Sequence, residues 1–579
     1  MTYRHFKYEG WLYALAFILA LMLRLLQLGA MPLTDLEAIP ALQALQIAQS
    51  LKPALSPHPF YILSTSIFFF LYGGGTNFLA RLAPALVGST LVFAPFLFAN
   101  RIKPRPSLFL AFFIALDPGL ISISRQAASP IFAITFLFFA WGFFYSNKLN
   151  FASIFAALAL LSGPSIWIGL LGIGITWAIV QVFNSRPNHS STVDTSSLPM
   201  EPVKAANQTA STVPAWLIPF VSTFIIAGTL FFIVPNGLSA ALASIPAFIS
   251  RWTTLSDFSI SRLFFSLIVY QPLGVLLALI AIVRGWWAGS RRIILWSIWF
   301  LVTLLLVIII PSGQINDLAW ALIPLWTIAA LELTRSVTIF SEERNEVISV
   351  IFLTAFIWIF AWLDFSGMVW LPTDSGEYAL RFWLLMGSLF LIVVSLLLVA
   401  AGWSLRIARI GGVWGLTLTL GILGLGGAFG AAGLRGLNHP ELWWQPSIPI
   451  QADLVQSTVD DLSQWGLGNN NAAPVIIAGL DSPALEWVLR ERKVLVVKAL
   501  DVSSSPYFVI TPLQDNPGLA SAYRGQDFTW RQTPLWNTSL VPDWMRWIAV
   551  RDMPQSGESI ILWARDDLFL HSAPASGNP

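Results

Sequence analysis

Apolar runs of roughly 17–25 residues recur along most of this chain, and that repetition constrains its fold more than any other feature. Hydrocarbon offers no partner to a backbone N–H or C=O, so a run of this length is stable in a bilayer as an α-helix that satisfies its own backbone. About thirteen spans are expected, at 11–28, 79–100, 107–123, 130–146, 150–163, 165–183, 215–234, 263–283, 293–310, 318–333, 347–366, 382–402 and 411–434. The fifth and sixth also read as one helix broken around Gly163-Pro164. Residues 60–72 are apolar but short and read as re-entrant or interfacial. Composition agrees: 56% of the 579 residues are hydrophobic and 11% charged, and the mean hydropathy is +0.71. Soluble globular chains carry about 25% charged residues.

Several function classes drop out. The absence of cysteine excludes disulfides, thiolate catalysis and Cys-ligated zinc or iron–sulfur sites. A net charge of +2 argues for no nucleic-acid partner. The first apolar run is too long for a signal-peptide core and lacks a small-x-small cleavage site, so no cleavable signal is expected. The 27 tryptophans suit many membrane–water boundaries, and Trp286-Trp287 and Trp443-Trp444 are read as interface belts. With the N-terminus cytoplasmic, lysine and arginine favour the inside loops over the outside loops by about two to one. The chain is thus expected to be a multi-pass protein of the cell membrane, with Asp35, Glu37 and the C-terminal tail extracytoplasmic.

Two segments are not membrane-like. Residues 184–214, rich in Ser, Thr, Pro and Asn, read as a disordered cytoplasmic linker. Residues 437–579 read as a soluble domain following the transmembrane domain 1–436. Within it, 474–480 is strand-like, Pro483 sits near the first position of a helix running to Arg492, and 494–497 and 507–510 are further strands. That order suggests a small α/β domain, and no glycine-rich phosphate loop accompanies it.

The chemistry-bearing residues cluster in the outside loops of the first third. Asp35-Leu36-Glu37 follows the first span directly, where carboxylates near hydrocarbon cost several kcal/mol and need water or a role. Residues 39–50 place Gln43, Gln46 and Gln49 on one stripe of a helix lying in the interface plane. His58-Pro59, Arg81 and then Asp117-Pro118 with Ser124-Arg125 follow on the same side. Each has a plainer reading: the acids as helix caps, His58 as a turn residue between prolines, Arg81 and Arg125 as snorkelling cations, and Asp117 as a helix end.

The run Pro32-Leu33-Thr34-Asp35-Leu36-Glu37-Ala38, His58-Pro59, Arg81-Leu82-Ala83-Pro84-Ala85-Leu86-Val87-Gly88 and Pro118…Ser124-Arg125 resemble, in order, the outer-face signatures of the GT-C membrane glycosyltransferases. The resemblance is strongest to the protein O-mannosyltransferase and aminoarabinose transferase branch, covers roughly residues 10–185, and has a weaker echo in Asp317 to Leu333. It implies a GT-C-like polytopic α-helical fold and transfer of a sugar from a polyprenyl-phosphate carrier to a protein or glycolipid acceptor outside the cytoplasm. It also implies a catalytic carboxylate in the first outer loop. Two departures stand out: Leu36 separates acids that are usually adjacent, and Gln126-Ala127-Ala128-Ser129-Pro130 lacks the second acid often found after the arginine matching Arg125.

In such a reaction a carboxylate takes the acceptor's proton, which points to Glu37 and Asp35. Arginine forks suit the lipid phosphate, which points to Arg125, Arg81 and Arg262, with His58 nearby. No cofactor and no metal are expected. The alternative is a non-catalytic relative that binds lipid-linked glycans or assists a flippase or assembly complex. A transporter is disfavoured, since no internal repeat and no charge near a span midplane is seen.

Overall fold

The computed structural model describes residues 9–184, 214–255, 260–338, 340–469, 471, 473–514 and 516–572. The proposed linker and Asp257 lie outside the described residues. Among the described residues seven helices are long and apolar enough to cross a membrane, and up to nine if each of two bent pairs is one span. The apolar helices Pro59–Tyr72, Ile131–Tyr145, Leu149–Leu160, Leu217–Gly228 and Asn236–Ser250 are shorter. Fewer than the thirteen expected spans meet that length on their own, and residues 215–234 form only a twelve-residue helix.

The packing follows from which helices are apolar all round. Such a helix belongs inside a bundle, and in Ala319–Leu333 every residue except Leu331 is buried. Gly376–Gly402 is the opposite case: only Ser388, Ile392 and Ser395 are buried, and its leucines and valines face outward. Proline causes the two sharp bends, since it removes a backbone donor and collides with the preceding turn. Pro104–Leu116 and Pro118–Ser124 meet at 56°, and Ile260–Tyr270 and Pro272–Trp287 at 91°.

The C-terminal domain is a six-stranded sheet in the order β1-β5-β6-β4-β2-β3. Its strands are β1 (Ile448–Pro449), β2 (Val475–Ala478), β3 (Val494–Val497), β4 (Phe508–Pro512), β5 (Tyr523–Pro534) and β6 (Gln555–Arg565). Strands β2, β3 and β4 are parallel, as strand–helix–strand spacing requires. β5 and β6 form a long antiparallel pair that adds to one edge. The helix after β2 is shorter than expected, ending at Val488.

The sheet domain sits on one end of the helical bundle. The loops expected on the outer side meet there: Arg251 pairs with Asp317, Gln126 accepts from Asn316 Nδ2 at 2.7 Å, and Arg262 donates to the carbonyls of Leu442 and Trp444. Phe265 of the bundle stacks on Trp544 of the sheet domain at 4.2 Å, and Trp487 Nε1 donates to Asn77 Oδ1 at 2.8 Å. Trp443 and Trp444 are not a belt: at 0% and 6% exposure they pin the connecting segment into the bundle. A Cβ at Gly119 would come within 2.5 Å of the Trp443 ring, so glycine is what admits the indole. Trp286 and Trp287, at 49% and 88% exposure, do sit at the surface.

Candidate functional site beneath the sheet domain

Thr34 precedes the helix Asp35–Ala48, and the first three helical residues point in three directions because successive side chains are about 100° apart. Glu37 turns into the bundle and is 1% exposed. Its Oε1 accepts from Arg81 Nε at 2.9 Å and Ala127 N at 2.9 Å. Its Oε2 accepts from Arg81 Nη2 at 2.7 Å and Thr34 N at 3.1 Å. Burial pushes the carboxyl upward, but the Arg81 charge and these donors outweigh it and hold the group below its ordinary value. Asp35 turns the other way, into the sheet domain. It accepts from Ser482 Oγ at 2.8 Å and Ala484 N at 3.0 Å, capping the helix Pro483–Val488 across the domain junction, and pairs with Arg531 at 2.7 Å. Between them Leu36, 55% exposed, lines a cavity at this junction.

The arginines expected to bind phosphate hold protein carbonyls. Arg81 also donates to Met31 O at 2.6 Å and Pro32 O at 3.0 Å. Arg125 donates to Leu23, Arg24, Leu26 and Gln27 carbonyls at 2.8–3.2 Å, closing the C-terminus of Glu9–Leu25 where cations are favoured. Arg24, fully buried, does the same for the Ile114 and Ala115 carbonyls. Glu37, Arg81 and Arg125 do meet around one pocket, but it holds only about 40 Å³, room for a water or two. His58 is elsewhere. It precedes Pro59–Tyr72, packs against Gly163, and burial lowers its imidazole to about 4, so at neutral pH it offers a phosphate no charge.

The larger cavity, about 580 Å³, lies between the bundle and the sheet domain. Among the described residues Arg262 is its one cationic lining residue; Gln314, Asn316, Gln445, Thr538 and Trp536 supply most of the rest of its chemistry. Asn316 is 5% exposed and its Oδ1 has no donor among the described residues. Amides, hydroxyls and an indole together suit a hydroxyl-rich ligand better than a highly charged one. Among the described residues, no carboxylate lines it. Of this set the sequence marks only Arg262, because the other members come from distant segments and belong to no motif.

Among the described residues, no three His, Cys, Asp or Glu side chains gather to hold a metal. Asp317 is engaged by Arg251 and by the Gln314 backbone N–H. Ligand binding or transfer is expected to persist after exhaustive chelation; loss with EDTA and rescue by Mn²⁺ or Mg²⁺ would place a metal here.

No family model matches the chain, and no curated protein does. Among solved structures, ArnT from Cupriavidus metallidurans bound to undecaprenyl phosphate matches with a TM-score of 0.50 at 14% identity, covering 87% of this chain and 93% of that one. The same protein in its apo state matches at 0.49 and 12%, over the same shares. The Archaeoglobus fulgidus oligosaccharyltransferase tethered with an acceptor peptide matches at 0.42 and 12%, over 87% and 69%. At this identity the first likeness is one of fold: the chain has a GT-C-like fold.

Proposed function

We propose that this GT-C-fold chain binds a polyprenyl-phosphate-linked sugar on the extracytoplasmic side of the cell membrane and holds it without transferring it. The observation that carries this reading is the direction of Leu36. A general base must reach the acceptor's proton with a free lone pair at hydrogen-bond distance. The first turn of Asp35–Ala48 aims an isobutyl group at the cavity, while Glu37 is buried against Arg81 and the half-buried Asp35 is paired with Arg531 and Ser482. A carboxylate held below its ordinary value by a bidentate arginine is also a weak base. The cavity's amides, hydroxyls and Trp536 support a sugar ligand, and the unmatched Asn316 Oδ1 awaits a hydroxyl donor.

The fold favours a second reading, transfer of the sugar to a protein or glycolipid acceptor, as in protein glycosylation or cell-envelope assembly. The base would then come from outside the described residues, and Asp257 is the nearest acid in sequence to Arg262 that qualifies. The experiment uses the full chain in nanodiscs with radiolabelled polyprenyl-phosphate hexoses. Co-purifying adducts by native mass spectrometry, with no release of label over hours, is the expected result. Label released above a protein-free control would restore the transferase, and no adduct with any donor would remove both readings.

Orientation carries its own expectation. Basic residues favour the end of the bundle away from the sheet domain, so that end is cytoplasmic. A reporter active only in the cytoplasm, fused after Pro579, should be silent; a strong signal would invert the topology.

A further inference from the structure

We propose that the membrane domain carries a second binding site, independent of the first: a lipid-facing groove that takes a long-chain alcohol whose hydroxyl donates to Gln271 Oε1. The groove, about 350 Å³, opens where the two bent helix pairs meet, with Asp117-Pro118 from one and Gln271-Pro272 from the other in its lining. It shares no lining residue with the cavity beneath the sheet domain. Phe113, Leu116, Leu273 and Trp326 line its inner wall, and Leu418 and Ile422 of the last long helix, 51% and 61% exposed, form its lipid side. Interrupted apolar helices with polar groups at the break mark ligand sites in membrane proteins, since broken backbone is tolerated there only around a cavity.

The polar end selects the ligand's head. Asp117, 1% exposed, accepts from Leu120 N at 2.7 Å, Trp326 Nε1 at 2.7 Å and Gln271 Nε2 at 3.2 Å. Gln271 gives its amide nitrogen to Asp117, which leaves Oε1 as its remaining polar atom. Gln271 is 0% exposed and that oxygen has no donor among the described residues. An unmatched buried acceptor calls for an O–H or N–H. Among the described residues no lysine or arginine lines the groove, so nothing there offers an anion a counter-charge. A phosphate-bearing lipid head is therefore a poor fit, and an uncharged hydroxyl on an apolar chain is a good one.

The test uses the full chain in nanodiscs with three diazirine-bearing probes of equal chain length: hexadecanol, its methyl ether and hexadecyl phosphate. Hexadecanol should label peptides around 270–275 and 414–425 roughly five- to tenfold more than the ether, the worth of one net hydrogen bond. Gln271→Leu should abolish that preference while ether labelling remains, which separates loss of the acceptor from loss of the fold. Equal labelling by alcohol and ether, a preference that survives Gln271→Leu, or strongest labelling by the phosphate would each overturn the proposal.

Discussion

Arg81→Met should cost this protein about 3–5 kcal/mol, because it leaves a buried carboxylate without its counter-charge. Arg81 alone gives Glu37 two of its five hydrogen bonds, and both side chains are nearly sealed from solvent. Melting of the detergent-solubilised protein, followed by size-exclusion profiles, would register the loss. The double variant Glu37→Met/Arg81→Met removes both charges and should recover much of it, since an ion pair and an apolar pair of similar volume are often close in stability. The pH dependence should invert between the native chain and Arg81→Met. In the native chain Glu37 is held below its ordinary value, so its contribution is present at neutral pH and fades as pH falls through that lowered range. In Arg81→Met burial acts unopposed and raises the carboxyl, so that variant should be more stable at pH 5 than at pH 8. An Arg81→Met protein that melts like the native one at neutral pH would remove Arg81 as the keystone of this end of the bundle.

Trp443→Ala is the second large effect. Truncating a fully buried indole costs about 3–5 kcal/mol when its surroundings cannot collapse, and here they are the backbone at Gly119 and the side chain of Leu322. The Trp443 carbonyl also receives Gln126 Nε2 at 2.9 Å and Ser122 Oγ at 3.3 Å, so the segment is held by backbone as well as by the ring. Limited proteolysis of the variant should therefore cut within 437–447 faster than in the native chain, with the sheet domain released intact. Unchanged melting together with unchanged cleavage would mean that the indole fills space without anchoring anything.

The long helices were legible because a bilayer-length apolar run leaves the backbone little choice. The short ones were not: Asn236–Ser250 carries Pro246 and three serines, which dilute its apolar signal below that of a span. β5 and β6 escaped for a related reason. Only Phe528 and Trp530 of β5 are buried, so most of that strand reads as polar loop and finds its place by pairing with β6. At the site, residue types pointed to the right loops but not to their partners. Arg125 closes carbonyls some hundred positions away, and Arg262 holds carbonyls about 180 positions on; no local pattern encodes such contacts. Leu36 was visible as an interruption between two acids, and only the helix start at Asp35 gave that interruption a direction.

The helix Gly376–Gly402 has 27 residues, a length of roughly 40 Å, against a hydrocarbon layer of about 30 Å. Its unbroken apolar stretch begins at Phe382, after Glu377 and Arg381, so its first turns stand clear of the acyl chains. There Tyr378 touches Met545 of the sheet domain, and the neighbouring Trp370 lies under Arg546. The helix is a strut between bilayer and sheet domain, and its tilt must follow the thickness of the lipid around it. Lipid chain length is thereby coupled mechanically to the height of the sheet domain above the headgroups. Donor–acceptor fluorescence between labels at 378 and 336, measured in thin and thick bilayers, would read that coupling as a change in helix tilt relative to the bundle.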